Sequence, residues 1–561
     1  MCGGRVSERI LAIVPARGGS KGVRRKNLRL LHGRPLLYYI LQTALQSRRI
    51  HDIVLTSEDD DILSYGAQFG VLLRQRPPAL AQDDVPLAPV VRDALDWATQ
   101  QRGPYSVVVR LQPTCPLLRP ETLDRAIASF LAQDVDTLLA ATDATHLMWR
   151  EQDGHPVPDY AARVNRQQLP RRYRESGAFL IIRPQWVLAG DGIGPRVSIM
   201  ELPEDEGLDI DTKTDWLVAE ALLRRLRIAI VTSANAAVGM GHLYRTLTIA
   251  DALLGHDIAF IAVDTDPQAL ALAREHGYAV VEAAPHEILD RLAALQPHVV
   301  INDVLDTTAD YVRRQRDLGA FVVNFEDLGS GADEAHLVFN ALYENSRPRE
   351  THRFGHAYFC LPEHFAYVPP AEFRDPPQTL LITFGGVDQN NLTCQTLDVL
   401  PAVLERAPLA SVLVVVGPGY AHDADLAQAL SRLPQPVADK VQVQRSVRNM
   451  AQVMRQADAA VTSNGRTVYE LAAMGVPTIS ISQNDRETLH LFARYNRGVR
   501  YLGMASPRTP QQVQAALVEI LTQPEARRAM REALLAADLR GGLNRVIGEI
   551  HDAYWRWKNA Q

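Results

Sequence analysis

Glycines and cations are concentrated in one short segment near the beginning of the sequence. The stretch PARGGSKGVRRKNL, residues 15–28, contains three glycines and places five cations within ten residues. Glycine lets the backbone approach a ligand closely, and exposed amides beside cations attract phosphate groups. The spacings of a Walker A loop and of a dinucleotide fingerprint are both absent. The segment therefore predicts a polyphosphate site of another kind, with a solvated basic loop as the alternative.

Two aspartates alternate with apolar residues in a later segment, GLDIDTKTDW, residues 207–216. In an extended chain Asp209 and Asp211 project to the same face, where their carboxylates repel each other unless a cation lies between them. Mg²⁺ commonly binds through one or two carboxylates together with substrate phosphates. The alternative is that Asp211 caps the helix that follows. The spacing alone leaves both interpretations open.

A histidine stands at a glycine turn in the middle of the chain. In NAAVGMGHLYR, residues 235–245, His242 follows Gly239 and Gly241 and opens a predicted helix, with Arg245 one turn further on. The N-terminus of a helix attracts anions, and a histidine there can accept a proton. The pattern favours a functional histidine over a packed or solvent-exposed ring.

A further group of candidates lies in TSNGRTVYE, residues 462–470. Ser463, Asn464 and Gly465 form a predicted turn before a helix, and Glu470 lies inside that helix. A turn of this kind can hold a diphosphate on its amides while the carboxylate binds ribose hydroxyls. The segment TFGGVDQNN, residues 383–391, adds a second glycine turn. Nucleotide binding is therefore predicted here as well.

The elements that position these residues follow from the alternation of apolar runs and amphipathic segments. Buried strands are predicted at ILAIV (10–14), DIVLTS (52–57), YSVVVRL (105–111) and DTLLAAT (136–142), with helical patterns between them. Such alternation predicts an α/β fold with a mostly parallel sheet, whose ligands bind outside the carboxyl ends of the strands. The pattern restarts at RIAIVTS (227–233) and again at TLLITFGG (379–386), after a Pro-rich segment at 366–378 that reads as a linker. We therefore predict three α/β lobes, 1–226, 227–370 and 379–561, and two helices after residue 505.

Composition limits the class of protein. The 561 residues are 47% hydrophobic and 22% charged with a net charge of −6, which is typical of a globular protein with several cores. This charge argues against nucleic acid or a membrane as a partner. The four cysteines are scattered without metal-ligand spacing, and no apolar run approaches the ~20 residues of a membrane helix. We expect a cytoplasmic enzyme.

The ordered motifs of residues 10–220 resemble the acylneuraminate cytidylyltransferases. The motifs are PARGGSKGVRRKNL, TSEDDDI (56–62), RPPALAQDDVP (76–86), LQPTCPLL (111–118), RRYRESGAFLI (171–181) and DIDTKTDW (209–216). The resemblance implies a Rossmann-like nucleotidyltransferase domain and a homodimer. It also implies that the anomeric hydroxyl of a nine-carbon 2-keto sugar acid attacks the α-phosphate of CTP and that pyrophosphate leaves. Cys115 stands where the family often has serine, a small change that should not alter the chemistry.

The same resemblance implies roles for individual residues. The CTP phosphates and ribose would be held by Arg17, Gly18, Gly19, Ser20, Lys21, Lys26 and Asn27, while Arg76 and Asp83 would close around the cytosine. The pocket for the sugar acid would be lined by Gln112, Arg172, Glu175, Ser176 and Phe179. Asp209 and Asp211 would carry Mg²⁺, and Arg17, Lys26 and Asp211 would act in catalysis. The general base for the attacking hydroxyl is left open between Asp211 and a metal-bound water.

Residues 227–500 resemble two-lobed nucleotide-sugar enzymes of the GT-B arrangement. The motifs GMGHLYR (239–245) and FGGVDQNN (384–391) are similar to those of the UDP-sugar hydrolase of pseudaminic acid biosynthesis. That resemblance implies that His242 is a base toward water and that Ser463, Asn464, Thr467 and Glu470 hold UDP. The family's Arg-x-Asp before the glycine turn is replaced by 231–233, Val-Thr-Ser. Three alternatives therefore stay open: another hexose as the substrate, glycosyl transfer as the reaction, or loss of activity.

The two resemblances fit one pathway, because release of an amino sugar from UDP and activation of the finished acid by CTP lie on either side of a condensation step. We therefore expect a bifunctional enzyme for a sialic, legionaminic or pseudaminic type of acid. The alternatives are a shorter keto acid such as an octulosonate, and a C-terminal part that is a glycosyltransferase or a non-catalytic docking module. The RESGAF segment favours nine carbons.

Overall fold

The computed structural model describes residues 9–19, 23–82, 84–189, 192–235, 240–343, 349–445 and 447–561. Ser20, Lys21, Gly22, Asp83 and Gly239, which the sequence singled out, lie outside the described residues. The chain divides into two compact units, Met1–Arg225 and Leu226–Gln561. Both units combine helices with largely parallel sheets, so the predicted α/β class is confirmed.

The first unit is built on a seven-stranded sheet with helices between the strands. Its strands are β1 (Ile10–Pro15), β2 (Leu30–Leu31), β3 (Arg34–Pro35), β4 (Asp52–Ser57), β5 (Leu72–Gln75), β6 (Val107–Arg110), β7 (Thr137–Asp143), β8 (Trp149–Gln152), β9 (His155–Pro158), β10 (Tyr173–Ile182) and β11 (Val197–Glu201). Its helices are α1 (Leu36–Gln46), α2 (Asp60–Ala67), α3 (Leu87–Arg102), α4 (Pro120–Ala132), α5 (Pro184–Ala189) and α6 (Lys213–Leu223). The pairs β2–β3 and β8–β9 form separate two-stranded ribbons.

The strand order of this sheet is β11-β7-β10-β6-β1-β4-β5. The strand β1 pairs in parallel with β4 on one side and with β6 on the other, while β10 runs antiparallel to β6 and β7. The chain moves outward from β1 through β4 to β5 and then returns to the other side of β1, so the order reverses between β1 and β6. A crevice at such a reversal is the usual ligand site of an open α/β sheet.

Both faces of the sheet are covered by apolar side chains. On one face the β1 residues Ala12 and Val14 pack in a cluster with Leu41 and Phe130, which are fully buried. On the other face Leu11 and Ile13 pack with side chains of α3. The alternation of inward-facing residues along β1 therefore serves two cores, which explains why the whole strand is apolar.

The second unit contains two parallel sheets in separate lobes. The first lobe has β12 (Arg227–Thr232), β13 (Asp257–Val263), β14 (Ala279–Ala283), β15 (Val299–Asp303), β16 (Phe321–Phe325), β17 (Leu337–Asn340) and β18 (His352–Phe354). Its helices are α7 (Gly241–Ala252), α8 (Pro267–Glu275), α9 (Ile288–Leu295) and α10 (Ala309–Asp317). The short helix α11 (His364–Tyr367) follows this lobe, and its Phe365 packs in a cluster with Leu381 and Val468. The sheet order is β14-β13-β12-β15-β16-β17-β18.

The second lobe has β19 (Thr379–Thr383), β20 (Ser411–Val416), β21 (Val441–Arg445), β22 (Ala459–Ser463), β23 (Thr478–Ser482) and β24 (Val499–Met504). Its helices are α12 (Leu392–Arg406), α13 (Asp423–Arg432), α14 (Gln435–Ala438), α15 (Met450–Met454), α16 (Thr467–Ala473), α17 (Asp485–Thr488), α18 (Phe492–Tyr495), α19 (Thr509–Thr522) and α20 (Pro524–Leu535). The sheet order is β21-β20-β19-β22-β23-β24.

The final helix, α21 (Gly542–Asn559), returns to the first lobe. Its residues Val546, Ile550 and Tyr554 pack in the same cluster as Leu247 and Phe321. The expectation of two helices after residue 505 is therefore wrong, since α19, α20 and α21 follow one another there. Among the described residues, no helix is both long and apolar enough to cross a membrane.

Candidate active sites

In the first unit, Lys26 joins the glycine-rich loop after β1 to the segment that carries the two aspartates. Its Nζ donates a hydrogen bond to the carbonyl of Ile210 at 2.6 Å and lies 3.3 Å from Oδ1 of Asp211. The next residue, Asn27, is buried and donates from Nδ2 to the carbonyl of Arg17 at 2.9 Å. The two segments are 184 residues apart in sequence. The structure therefore brings the predicted phosphate loop and the predicted metal ligands together.

Asp209 lies against the loop that follows β6. The amide of Ile210 donates to the carbonyl of Thr114 at 2.8 Å, which fixes the segment beside that loop. A Cβ on Gly177 would lie 2.8 Å from Oδ2 of Asp209 and 3.0 Å from Cδ of Gln112, so the three residues are in close contact. Gly177 lies in the irregular part of β10, where the register shifts between residues 175 and 180. The irregularity carries the backbone toward Asp209 and Gln112.

The two aspartates differ in their surroundings. Residues 208–211 belong to no strand, so the expected projection to one strand face does not describe them. Asp211 is largely exposed and paired with Lys26. It does not cap α6, because Thr212 is the N-cap and forms a capping box with Asp215. The helix-cap alternative for Asp211 is therefore wrong.

Asp209 is the better candidate for a metal ligand. Its Oδ1 is buried and accepts no hydrogen bond from any residue that the structure describes. A buried carboxylate oxygen without a partner is costly unless a cation or a donor satisfies it. The described residues contain no cluster of three or more acidic, histidine or cysteine ligands. Two carboxylates next to a phosphate loop fit Mg²⁺, which takes its remaining oxygens from water and phosphate.

Arg76, which is predicted to contact the nucleotide, has a buried side chain in this structure. Its side chain is only 4% exposed, and NH2 donates to the carbonyl of Thr56 at 2.8 Å. Burial lowers the pKa of its guanidinium, and the charge of Glu58, which lies 3.3 Å away, opposes that effect. Arg76 therefore ties together backbone and side chains at the ends of neighbouring strands. The prediction that it closes around cytosine needs this buried side chain to become accessible.

Glu58 was missed by the sequence reading. Its Oε1 accepts a hydrogen bond from the amide of Gly18 at 2.7 Å, so this carboxylate lies against the predicted phosphate loop. A Cβ on Gly18 would collide with the side chain of Asp59, so a larger residue there would displace that carboxylate. Next to it, a Cβ on Gly19 would meet no atom within 4 Å among the described residues. The acidic run in TSEDDDI marks this segment, but the run alone does not indicate which of its carboxylates lies against the loop.

The five residues predicted for the sugar-acid pocket lie in different surroundings. Ser176 is buried and donates from Oγ to the carbonyl of Gly207 at 3.0 Å. Phe179 is 1% exposed and packs in the core of the sheet, and its contact with substrate stays a prediction. Glu175 pairs with Arg110 at 3.3 Å. Of the set, Gln112 lies beside Asp209.

Arg172 lies at a separate surface cavity of about 320 Å³. Its guanidinium pairs with Asp159, and its NH2 also donates to the carbonyl of Asp159 at 2.7 Å. His146, Tyr160 and Leu169 line the same cavity. Arg172 is therefore engaged with a neighbouring loop in this structure rather than with Gln112 or Asp209.

In the second unit, His242 and Asp303 form a buried pair where two neighbouring strands end. His242 lies near the start of α7, which follows β12, and Asp303 is the last residue of β15, which pairs in parallel with β12. Nδ1 of His242 lies 2.6 Å from Oδ1 of Asp303. The order of this sheet reverses between β12 and β15. The sequence reading selected His242 but missed Asp303, because the motif carries no sign of its partner.

Arg245 and Glu326 extend this pair into a network. Arg245 donates from Nε and NH2 to the two oxygens of Asp303 at 2.6 and 2.5 Å, and its NH1 lies 3.3 Å from Glu326. Burial alone would raise the pKa of Asp303, but the charge of Arg245 and the hydrogen bonds outweigh it and lower that pKa to about 2. Burial raises the pKa of Glu326, which directly follows β16.

In the second lobe, the glycine turn after β19 faces the start of α16. Gly385 has a φ of 76°, and a Cβ there would lie 3.5 Å from Oγ1 of Thr467 and 4.0 Å from Oγ of Ser463. This sheet also reverses its order at the two strands concerned, β19 and β22. Burial raises the pKa of Glu470, while the charge of Arg466 opposes that shift. Ser463, Thr467 and the Gly385 turn therefore share one crevice.

Asn464 is used differently from the prediction that it holds UDP. Its Nδ2 donates to the carbonyls of Glu487 and His490 at 2.7 and 3.1 Å, and its Oδ1 accepts from Ser480. Asn464 is buried, and both of its amide hydrogens are used by these two carbonyls. The side chain of Asn464 therefore positions the segment 484–490, and its contact with UDP stays a prediction.

The two strand-end sites of this unit face each other. A Cβ on Gly241, at the start of α7, would lie 3.4 Å from Cδ of Arg466 in the second lobe. Arg466 also donates to the carbonyl of Cys360 at 3.0 Å. Arg486 of the second lobe donates to the carbonyl of Glu326 at 3.0 Å. His242 therefore lies across from the crevice of Ser463 and Thr467.

Comparisons with known proteins match the two units separately. The model of the family "Cytidylyltransferase" matches residues 11–182, and that of "Glycosyl transferases group 1" matches residues 378–523. The second match fits the glycosyltransferase alternative for the C-terminal part. A MurG structure from Acinetobacter baumannii is 16% identical and covers 58% of this chain and 99% of its own, with a TM-score of 0.44.

Three relatives illustrate the coverage. The pseudaminic acid cytidylyltransferase of Campylobacter jejuni is 30% identical over 222 residues, which are 38% of this chain and 96% of the relative. N-acylneuraminate cytidylyltransferase A of Danio rerio is 26% identical over 39% of this chain and 52% of the relative. An uncharacterized protein of Methanocaldococcus jannaschii is 28% identical over 46% of this chain and 56% of the relative. The chain thus spans about half the length of the last two. Through its first unit the chain belongs to the cytidylyltransferase family, and it carries a glycosyl transferases group 1 domain in its second unit.

Proposed function

We propose that the first unit transfers CMP from CTP to a nine-carbon 2-keto sugar acid and releases pyrophosphate. The observation that carries this proposal is the bridge from Lys26 to the carbonyl of Ile210 and the carboxylate of Asp211. It joins a cation of the glycine-rich loop to the segment that carries the two acidic residues, which supports a shared phosphate and metal site. Relatives that act on acylneuraminate and pseudaminic acid support the class of acceptor by their names.

The residues of this crevice divide the work of phosphoryl transfer. That reaction depends mainly on alignment and on neutralising charge. Arg17 and Lys26 supply positive charge beside the loop, and the contact of Gly177 with Asp209 and Gln112 holds the opposite wall. When bound by Asp209 and Asp211, Mg²⁺ would neutralise the triphosphate. Asp209 is the stronger of the two ligands in this account, because its Oδ1 has no other described partner.

A pyrophosphate-release assay tests this proposal. The full-length protein is given CTP and Mg²⁺ with sialic, legionaminic or pseudaminic acid, and with an eight-carbon octulosonate for comparison. We expect release with at least one nine-carbon acid and at least tenfold less with the octulosonate. Release with the octulosonate alone would support the shorter-acid alternative, and no release with any acid would refute the proposal.

For the second unit, we propose a reaction that cleaves a UDP-linked amino sugar. The specific observation is that Gly241, the residue before His242, lies against Arg466, which directly precedes Thr467 in the crevice of the second lobe. His242 would accept the proton of a hydroxyl group that attacks the anomeric carbon while UDP leaves from the opposite lobe. Water as the attacking group gives hydrolysis, which the GMGHLYR motif favours. A sugar hydroxyl gives transfer, which the family match of residues 378–523 favours.

UDP release from a UDP-linked diacetamido-trideoxyhexose tests this second proposal. The measurement is made in water alone and with added sugar acceptors, because hydrolysis needs no acceptor whereas transfer does. His242→Ala should abolish UDP release and leave CMP transfer unchanged. Loss of both activities in this variant would contradict two separable sites.

Two further properties remain predictions. The homodimer that the resemblance implies is tested by sedimentation of the full-length protein, where a monomer would contradict it. The dependence on Mg²⁺ is tested by removing divalent cations with a chelator, which should abolish CMP transfer and leave UDP release unchanged.

A further inference from the structure

Asp303 is a fully buried acidic residue at the second site that no sequence motif singled out. Its side chain has no exposed surface, and among the described residues its two oxygens form hydrogen bonds with only His242 and Arg245. A buried carboxylate destabilises the fold unless a cation and hydrogen bonds compensate its charge. The pairing of Asp303 with both a cation and an imidazole provides this compensation.

The charges around this pair define which atom carries the proton. Arg245 approaches from α7, Glu326 from the loop after β16 and Arg466 from the second lobe, and all three act on the same buried region. Since two hydrogen bonds from Arg245 hold Asp303 in its ionised form, the carboxylate can only accept a hydrogen bond. At 2.6 Å from Asp303, Nδ1 of His242 must then be the donor.

We propose that Asp303 is the positioning residue of His242, holding Nδ1 protonated so that Nε2 is left as the proton acceptor. The inference rests on the proposed reaction of the second unit. The two nitrogens of an imidazole are distinct, and the hydrogen bond made by one decides the state of the other. Asp303 does not touch substrate in this account; it fixes the orientation and the tautomer of the ring, as the aspartate of a serine-protease triad does.

Arg245 and Glu326 keep Asp303 in place. Glu326 has a positive φ of 52°, a conformation that costs energy for a residue other than glycine. The amides of Ala341 and Leu342 donate to its carboxylate at 3.2 and 3.4 Å, which offsets part of this cost. The carboxylate of Glu326 also accepts a hydrogen bond from Arg245. The guanidinium of Arg245 is therefore held by Asp303 on one side and by Glu326 on the other.

The variant Asp303→Asn tests the inference in the full-length protein. Its amide can present an N–H to Nδ1 and so favour the wrong tautomer. We expect kcat for UDP release to fall roughly 10²- to 10⁴-fold, with KM within about threefold of wild type. CMP transfer by the first unit should be unchanged and serves as an internal control. A variant with wild-type kcat would overturn the inference.

Asp327→Asn is the matched control, because Asp327 is also buried in this lobe but bonds to Thr307 and Asn324 instead of His242. It should lower thermal stability without changing kcat comparably. If both variants lose kcat to the same extent, the loss reflects destabilisation of the lobe, and the positioning role is refuted.

A second measurement on wild type does not depend on activity. In ¹⁵N-histidine-labelled protein, with the His242→Ala variant used to assign the signal, we expect NMR to show His242 protonated on Nδ1. The alternative is that Nδ1 accepts from NH2 of Arg245, which lies 3.4 Å away, and an imidazole protonated only on Nε2 would overturn the inference. If wild type releases no UDP, the proposed function fails while the NMR result still decides the role of Asp303.

Discussion

Replacing Gly177 by alanine tests the contact that shapes the first site. The added Cβ would lie 2.8 Å from Oδ2 of Asp209 and 3.0 Å from Cδ of Gln112. Carbon atoms make favourable contacts at about 3.5–4.0 Å, so both groups have to retreat by roughly half an ångström or more. Since a misplacement of about 1 Å can cost 10²-fold in rate, we expect kcat/KM for CMP transfer to fall about 10- to 100-fold. Overpacking of this kind also costs about 1–3 kcal/mol of stability.

The assay is pyrophosphate release at saturating CTP over a Mg²⁺ titration, combined with thermal unfolding. The loss should be larger at low Mg²⁺, because the displaced group includes the proposed ligand. Gly255→Ala is the matched control, since a Cβ there meets no atom within 4 Å among the described residues. If Gly177→Ala keeps the wild-type kcat/KM and Mg²⁺ dependence, the proposed geometry of Asp209 and Gln112 is wrong.

Four other changes have definite expected outcomes. Asp209→Asn should raise the Mg²⁺ concentration needed for half-maximal CMP transfer by about tenfold or more, because the amide loses the charge that binds the cation; an unchanged Mg²⁺ titration would contradict this. Burial raises the pKa of Glu487 to about 7, and its Oε1 lies near Gly465 beside the proposed diphosphate crevice, so the carboxyl is neutral below that pH and repels an anion above it. UDP affinity measured by calorimetry should therefore weaken as pH rises from 6 to 8, and Glu487→Gln should remove most of this dependence. Thr212→Ala should lower the free energy of unfolding of the first unit by about 1 kcal/mol through loss of the cap on α6, measured by denaturant titration. Arg245→Met should destabilise the second unit by about 3–5 kcal/mol, because it leaves the buried Asp303 carboxylate without its cation; a difference below 1 kcal/mol would show that the charge is satisfied otherwise.

Strand positions could be predicted because every lobe has the same alternation of apolar strand segments and amphipathic helical segments. The run 10–14 is apolar throughout, the run 227–233 is apolar at 228–231, and in the structure both become central parallel strands flanked on each side. The loops after these strands could be selected as ligand sites, because ligands of open α/β sheets bind where the strand order reverses. The glycine-rich loop, the glycine turn and His242 could therefore be found without coordinates.

Partners brought by distant strands could not be predicted. Asp303 lies 61 residues from His242 and belongs to an ordinary buried strand, so no spacing connects the two. Phe179 and Asn464 show that a residue inside a motif can also be used for packing or for holding another segment of the chain. A motif identifies the segment but does not distinguish side chains that face the ligand from those that face the core.

The Pro-rich segment 366–378 was interpreted as a linker, and the structure shows it packed. Val368 and Ala371 are buried, and Arg374 donates from Nε to Asp458 at 2.9 Å. Proline and polar residues signal an irregular backbone, but they do not reveal whether that backbone lies on a lobe. The tail raised the same difficulty, because the length and composition of α21 gave no indication that it returns to the first lobe.

The most direct test of the account follows one oxygen atom. The full-length protein is given CTP, Mg²⁺ and a nine-carbon keto acid carrying ¹⁸O at its anomeric hydroxyl, and the products are weighed by mass spectrometry. We predict that the label is retained in the bridge of the CMP-sugar and that pyrophosphate is unlabelled, because the hydroxyl attacks the α-phosphate in the crevice of Lys26 and Asp209. Label in pyrophosphate, or a CMP-sugar without label, would contradict this account of the first unit.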